Sequence, residues 1–193
     1  MPLAPGGHLV LLENFLDVDR TDVLREKMLG SLDWDQRPIF MFGRKVLQPR
    51  LTAFHGDDHV AYRYSGQTLH ARPWTGDLSE IRERLEAVLG IRFNSVLCNL
   101  YRDGRDSMGW HADDEVELGQ NPVIASISLG AARRFLLRAR QGDDRLELVL
   151  RNGSLLVMAG DCQHFWQHQV PRTARPVGAR LNLTFRTVFR RPL

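Results

Sequence analysis

The 193 residues of the chain suffice for one domain with a buried core, and the 43% apolar and 25% charged residues are ordinary for a globular protein. The longest apolar runs fall far short of the ~20 residues of a membrane span. The initial MPLAPGGHLV also lacks the basic stretch of a signal peptide, so we expect a cytoplasmic protein with no membrane partner. The net charge of +3 includes 24 arginines but only two lysines, a composition that suits phosphate or carboxylate contacts and permits nucleic-acid binding without requiring it.

Two segments in the first half of the chain predict helices. Asp19–Leu32 places Val23, Leu24 and Met28 at helical spacing, with Thr21 or Asp19 as the N-cap. Asp77–Leu89 carries an apolar stripe and is followed by a glycine that would serve as C-cap; the stripe consists of Leu78, Ile81, Leu85, Val88 and Leu89.

Most of the remaining sequence predicts strands, separated by turn residues such as Asn152-Gly153. The predicted strands are Leu9–Leu12, Arg37–Phe42, His59–Tyr64, Phe93–Tyr101, Val123–Leu129, Arg134–Arg140, Arg145–Leu150, Ser154–Met158, Phe165–Val170 and Ala179–Phe189. From Phe93 onward no helix interrupts them. We therefore expect a mainly β (α+β) fold with a jelly-roll core, also called a double-stranded β-helix, and the two helices packed on its outside.

The last predicted strand has two different faces. Leu181, Leu183 and Phe185 form a core face, since alternate residues of a strand point to opposite sides. The opposite face carries Arg180, Asn182, Thr184 and Arg186. Two guanidiniums inside a small barrel are costly unless an anion pairs with them.

A candidate metal site lies in MGWHADDE. His111 and Asp113 are two residues apart, so in an extended segment they point to the same side and can share one ion. A second histidine would complete the two-histidine, one-carboxylate set that holds non-haem Fe(II) in oxygenases. His168 and His164 both qualify, because they lie four residues apart and would share one side of an ideal strand. A dicarboxylate that also chelates iron, 2-oxoglutarate, would satisfy both this site and the arginines.

These segments together resemble a known family. WHADDE, PVIASISLGAARRF, GSLLVMAGDCQHFWQHQVP and RLNLTFRTV are similar to the AlkB family of Fe(II)- and 2-oxoglutarate-dependent dioxygenases, which remove alkyl groups from nucleic-acid bases. The resemblance covers roughly residues 42–188 and is strongest to the branch of the two human nuclear DNA-repair members. It implies the cofactors Fe(II), 2-oxoglutarate and O2.

The resemblance also implies roles for individual residues. The distal metal ligand of the family lies twelve residues before the first arginine of its RxNxTFR motif, which selects His168 to join His111 and Asp113. Arg180 would hold the distal carboxylate of 2-oxoglutarate and Arg186 would lie near the metal-proximal one. Four further residues would complete the co-substrate site: Asn99, Tyr101, Asn182 and Thr184.

For the nucleic acid, the resemblance implies a base turned out of the stack. Tyr64 and the ring of His111 would sandwich that base, and Tyr62 and Glu115 would contact its edge, with Asp114 beside them. RPIFMFGRKVLQPR resembles a hairpin that some members insert into duplex DNA. Phe42 matches the wedge position and Arg50 a basic residue nearby, although the apolar run around Phe42 also fits a core strand.

The resulting hypothesis is a single dioxygenase domain over residues 1–193, with a nucleotide-recognition lid at about 34–75 and a catalytic core at about 93–189. The expected reaction is oxidative demethylation of bases such as N1-methyladenine and N3-methylcytosine in DNA, with release of formaldehyde, succinate and CO2. Alkylated RNA or a protein side chain is the alternative substrate, and a non-catalytic nucleic-acid binder is the alternative class. We expect a monomer.

Overall fold

The fold is described by a computed structural model, which covers residues 1–3, 6–41, 44–64 and 67–189. In chain order its elements are β1 (His8–Leu12), α1 (Val18–Ser31), β2 (Pro38–Met41), β3 (Arg44–Leu47), β4 (Leu51–Gly56), β5 (Ala61–Tyr64), β6 (Gln67–His70), α2 (Gly76–Leu89), β7 (Ser95–Tyr101), β8 (Met108–His111), β9 (Ile124–Gly130), β10 (Arg133–Ala139), β11 (Arg145–Leu150), β12 (Leu155–Ala159), α3 (Cys162–Phe165), β13 (Trp166–Val170) and β14 (Arg180–Arg186). A single 3₁₀ turn, Val116–Leu118, follows β8.

Two antiparallel sheets form the core of the fold. Six strands pair in the order β1-β12-β9-β14-β7-β4, and four pair in the order β11-β10-β13-β8. Apolar side chains from both sheets meet in one cluster, which includes Leu97, Leu156, Phe135 and Trp166. This arrangement confirms the predicted jelly-roll core, in which the smaller sheet covers one face of the larger one.

The two predicted helices are confirmed on the outer face of the six-stranded sheet. Met28 of α1 and Leu85 of α2 are fully buried in the cluster that also contains Leu183. Gly90 ends α2 with φ of 67°, a left-handed conformation that glycine adopts without strain. The N-cap of α1 is Asp17, whose side chain accepts the amide of Asp19, rather than either residue predicted for that position.

Two residues of the predicted helical stripes face solvent instead. Val23 is 71% exposed and Val88 is 57% exposed. In α1, Thr21 is buried together with Met28, and its hydroxyl accepts a hydrogen bond from Nδ2 of Asn152 at 2.6 Å. A polar residue can thus occupy an inward position when its hydroxyl has a partner.

Several short elements were not predicted. These elements include β3, β6 and the edge strand β4, which pair with the predicted strands β2, β5 and β7, respectively. A fourth strand, β8, lies in the segment MGWH. The helix α3 and the 3₁₀ turn interrupt a region that was expected to contain strands only. Within the described ranges, the structure contains no helix with the length and apolarity of a membrane span.

Candidate metal and co-substrate site

The two histidines of the predicted metal site are direct neighbours across a strand pair. His168 of β13 lies opposite His111 of β8, and their ring centroids are 4.2 Å apart. The register shifts between this pair and the next one, Val170 with Met108. The extra residue in β8 turns both Met108 and His111 towards the interior, as a β-bulge does.

A carboxylate joins the two imidazoles. Ligand atoms of His111, Asp113 and His168 all lie within 4.8 Å of one another, and Oδ2 of Asp113 is 4.0 Å from Nε2 of His168. His164, the competing histidine, lies in α3 rather than on the strand. The structure therefore brings together the set that the resemblance selected.

Contacts with neighbouring groups orient each side chain in this cluster. Nδ1 of His111 donates to the carbonyl of Gly109 at 2.8 Å, since a carbonyl only accepts. Oδ1 of Asp113 accepts from Nη2 of Arg186 at 2.7 Å. Phe135 stacks on His168 with a centroid distance of 5.2 Å. Such outer contacts orient ligands towards an ion and hold an imidazole in one tautomer.

The electrostatics of the cluster favour the protonation states that a metal requires. Burial, together with the nearby His111, lowers the pKa of His168 to about 3. Burial also lowers the pKa of His111, against the attraction of Asp113. For Asp113, burial acts to raise the pKa, but the attraction of Arg186 and the two histidines outweighs it and the pKa is lowered. Neutral imidazoles and an ionised carboxylate are the forms that bind a cation.

Arg180 lies deeper in the same cavity and has an unusual environment. It is 1% exposed, and Nη2 donates to Oγ of Ser128 at 2.8 Å. Its Nε and Nη1 make no hydrogen bond with any described residue. Burial lowers its pKa to about 10, and Tyr101, whose ring is 5.3 Å from the guanidinium carbon, partly opposes this. A buried cation with unused donors fits an anionic ligand.

Amide and hydroxyl groups line the cavity between Arg180 and the histidines. Asn182 donates to Oγ of Ser126 at 2.7 Å, and its Oδ1 accepts from Thr184 at 3.0 Å. Asn99 lies opposite Asn182 across the β7–β14 pair and accepts a hydrogen bond from Nε of Arg50 at 2.8 Å. Arg50, predicted beside the hairpin, is thus only 3% exposed and belongs to the cavity wall, because β4 pairs with β7.

The residues predicted to contact the nucleic acid are described less completely. Phe42 lies outside the described residues, and Tyr62 and Tyr64 are described only as backbone of β5. Asp114 is exposed and forms an ion pair with Arg140. Glu115 is half-buried and follows directly. The two carboxylates therefore lie on the loop that leaves the metal-ligand cluster.

Sequence reasoning missed four residues that contact this site. Ser126 and Ser128 lie on β9 opposite β14, and ISLG alone gives no sign of that pairing. The guanidinium carbon of Arg133 lies 5.6 Å from the centre of the Tyr101 ring, and its nitrogens donate to the carbonyls of Asp103, Asp106 and Pro171. Gln163 accepts the amide of Asp113 at 2.9 Å across 50 residues of sequence.

A double-stranded β-helix with two histidines, a carboxylate and a buried arginine defines a class, the 2-oxoglutarate- and Fe(II)-dependent oxygenases. The model of the 2OG-Fe(II) oxygenase superfamily matches residues 8–186. The chain is 40% identical to alpha-ketoglutarate-dependent dioxygenase alkB homolog 3 of Homo sapiens, over 98% of this chain and 70% of that protein. It is 35% identical to DNA oxidative demethylase ALKBH2 of Arabidopsis thaliana, over 97% of this chain and 68% of that protein.

The solved structure of OsALKBH1 has the same fold, with a TM-score of 0.67 and 20% identity over 94% of this chain and 97% of that one. The chain belongs to the AlkB family of dioxygenases. Membership confirms the predicted use of Fe(II), 2-oxoglutarate and O2. The unpaired donors of Arg180 fit a carboxylate of 2-oxoglutarate. The nitrogen and oxygen ligands of the cluster fit Fe(II).

Proposed function

We propose that the protein repairs alkylated DNA by oxidative demethylation of bases such as N1-methyladenine and N3-methylcytosine, with release of formaldehyde, succinate and CO2. The observation that carries the proposal is the convergence of His111, Asp113 and His168 beside a buried guanidinium, in a chain whose relatives include a DNA oxidative demethylase. An alkylated base is cationic, and the carboxylates of Asp114 and Glu115 on the adjoining loop suit such a substrate.

In this proposal His111, Asp113 and His168 hold the Fe(II). Bound there with 2-oxoglutarate, iron supplies the oxidation of an N-methyl C–H bond by O2, coupled to decarboxylation of the keto acid. Nδ1 of His111 keeps its proton and donates it to the Gly109 carbonyl, which leaves Nε2 free to coordinate. Arg186 keeps Asp113 ionised and fixes one of its oxygens, so that the other remains for the metal.

The co-substrate would lie along the polar face of β14. Arg180 pairs with the distal carboxylate, whose charge offsets the cost of burying the guanidinium. Arg186 lies at the other end of the same strand, where the keto acid meets the metal. Asn99, Tyr101, Asn182 and Thr184 supply amide and hydroxyl groups between these two arginines. Apolar walls such as Phe135 exclude water from the reacting groups.

The base would enter from the side of the two hairpins, β2–β3 and β5–β6. Tyr64 and the ring of His111 would stack on it, Tyr62 would contact its edge, and Phe42 would fill the space that it leaves in the duplex. These four assignments come from the sequence resemblance. The cavity wall position of Arg50 suggests that it acts on Asn99, and hence on the co-substrate side, rather than on a phosphate.

The test is repair of a defined lesion. Purified protein with Fe(II), 2-oxoglutarate and O2 should convert N1-methyladenine in an oligonucleotide to adenine and release one formaldehyde per base. Asp113→Ala should abolish both products. Matched single-stranded DNA, duplex DNA and RNA identify the preferred nucleic acid. If 2-oxoglutarate is decarboxylated but none of the three nucleic acids is repaired, the proposed substrate is wrong. If no succinate forms, the protein is not a dioxygenase of this kind.

A further inference from the structure

The position of Asp113 depends on two side chains from distant parts of the chain. Residues 112–115 lie in no strand or helix, so no ladder of backbone hydrogen bonds holds them. Arg186 binds the carboxylate of Asp113, and Gln163 accepts a hydrogen bond from its backbone amide at 2.9 Å. The first contact orients the side chain, whereas the second fixes the main chain that carries it.

Gln163 has little freedom to do anything else. It is 1% exposed, and its Nε2 lies 3.6 Å from Sδ of Met158. Only Oε1 can accept the Asp113 amide, so the partners determine which way the side-chain amide is turned. Without that oxygen the amide of Asp113 would remain buried with its hydrogen bond lost.

The short helix α3 that carries Gln163 is held from two sides. Gly7 packs against its first turn so closely that an added Cβ would lie 2.7 Å from N and Cα of Cys162. On the other side the amide of Arg140 donates to the carbonyl of Phe165 at 2.8 Å. Nη2 of Arg140 also donates to the carbonyl of Gln163 at 3.3 Å and pairs with Asp114. The helix therefore contacts the loop directly at Asp113, through Gln163, and is linked to Asp114 through Arg140.

We propose that Gln163 is a positioning residue for the metal site: its side chain sets the main-chain position of Asp113 and so the place of the carboxylate ligand. The proposal deepens the proposed function, because it requires Asp113 to be a metal ligand. Groups that orient a ligand without touching the metal contribute about 10- to 100-fold to metal affinity in other proteins. Loss of the Gln163 acceptor should have an effect of that size.

The experiment measures Co(II) binding by visible absorption, without O2 and with 2-oxoglutarate present. Gln163→Met keeps the length and apolar packing of the side chain but removes the acceptor, and should weaken Co(II) binding by about 10- to 100-fold. Gln163→Glu keeps an acceptor oxygen and should retain most of the affinity. Gln167→Met is the matched control, since Gln167 is half-buried on β13 and contacts Arg138 instead. It should leave Co(II) binding within about twofold.

A second measurement does not depend on metal. Amide hydrogen exchange of Asp113 in the metal-free protein should be faster in Gln163→Met than in wild type, and unchanged in Gln167→Met. A lower melting temperature in Gln163→Met with unchanged Co(II) affinity would overturn the proposal, because it would make the contact structural only. So would unchanged exchange at Asp113. If the wild-type protein bound no Co(II), the proposed function would be wrong. The hydrogen-exchange rate of the Asp113 amide would still show whether Gln163 positions the loop.

Discussion

Arg180→Met should stabilise the protein in the absence of its co-substrate and remove its response to 2-oxoglutarate. The guanidinium is fully buried, two of its nitrogens have no hydrogen-bond partner among the described residues, and methionine has a comparable volume without charge. Replacing a poorly compensated buried ion by an apolar side chain of similar volume is often stabilising. The same change removes the cation that we assign to the distal carboxylate.

The magnitude follows from the pKa. Burial lowers the pKa of Arg180 from 12.5 to about 10, which disfavours the ionised form in the fold by ~3 kcal/mol. Because the folded pKa is the lower one, this cost is present at every pH below about 10 and disappears only above the unfolded value. Loss of the hydrogen bond to Ser128 subtracts about 1 kcal/mol. We therefore expect a net gain of about 1–2 kcal/mol at pH 7.5.

The assay is urea unfolding of chelator-treated protein, followed by the same measurement with Mn(II) and increasing 2-oxoglutarate. Wild type should gain stability with ligand concentration, since the ligand binds only the folded state. Arg180→Met should start higher and gain little, because a lost hydrogen bond between charged groups costs about 1.5–3 kcal/mol, or roughly 10- to 100-fold in affinity.

Arg133→Met is the matched control. Arg133 is also buried, but it donates to three backbone carbonyls, so its loss leaves acceptors unsatisfied and should lower stability by a few kcal/mol. The control concerns stability alone, because the Arg133 guanidinium also lies 5.6 Å from the centre of the Tyr101 ring in the co-substrate site. If Arg180→Met were destabilising, or still gained stability from 2-oxoglutarate as wild type does, the assignment of Arg180 to the co-substrate would be wrong.

Three further outcomes are expected. Co(II) affinity should fall much less between pH 8 and pH 6 than the roughly tenfold expected for two unperturbed imidazoles, because the pKa values of His111 and His168 are both lowered. A tenfold loss in a pH titration would contradict these lowered pKa values. Leu183→Ala should cost about 2–5 kcal/mol in urea unfolding, since Leu183 is fully buried between sheet and helices, while metal affinity of the folded protein stays unchanged. Phe42→Ala should reduce repair of duplex DNA more than repair of single strands, and equal losses would remove the wedge assignment.

Sequence alone predicted the parts of the fold that have a strong periodic signal. α2 and β14 each present one apolar face to the same cluster, and both were found with nearly correct bounds. β4 was missed because its sequence, LTAFHG, shows neither the alternation nor the continuous apolar run that marks a strand. β8 and α3 have four residues each, too few for any period to show. Short elements of this kind are fixed by their partners rather than by their own sequence.

The same limit applies to the site. His111 and Asp113 were found by their spacing, but the choice of His168 over His164 required the family pattern, because periodicity treats both alike. The strand pairing explains the choice, since only His168 lies opposite His111. Gln163 had no signal at all: its contact with Asp113 spans 50 residues and depends on a four-residue helix. Orienting residues of this kind depend on tertiary structure, whereas the ligands repeat a local motif.

β14 shows why fold and site cannot be separated in this protein. The strand is paired along its length with β7 and β9, so its register is fixed on both sides. Leu181, Leu183 and Phe185 are fully buried under the helices, and the intervening polar residues face the cavity. A slip of one residue would turn every side chain to the opposite face, exposing the guanidiniums of Arg180 and Arg186 to an apolar layer and removing them from the site. The apolar face therefore specifies where the arginines lie, and its burial offsets the cost of keeping two cations inside.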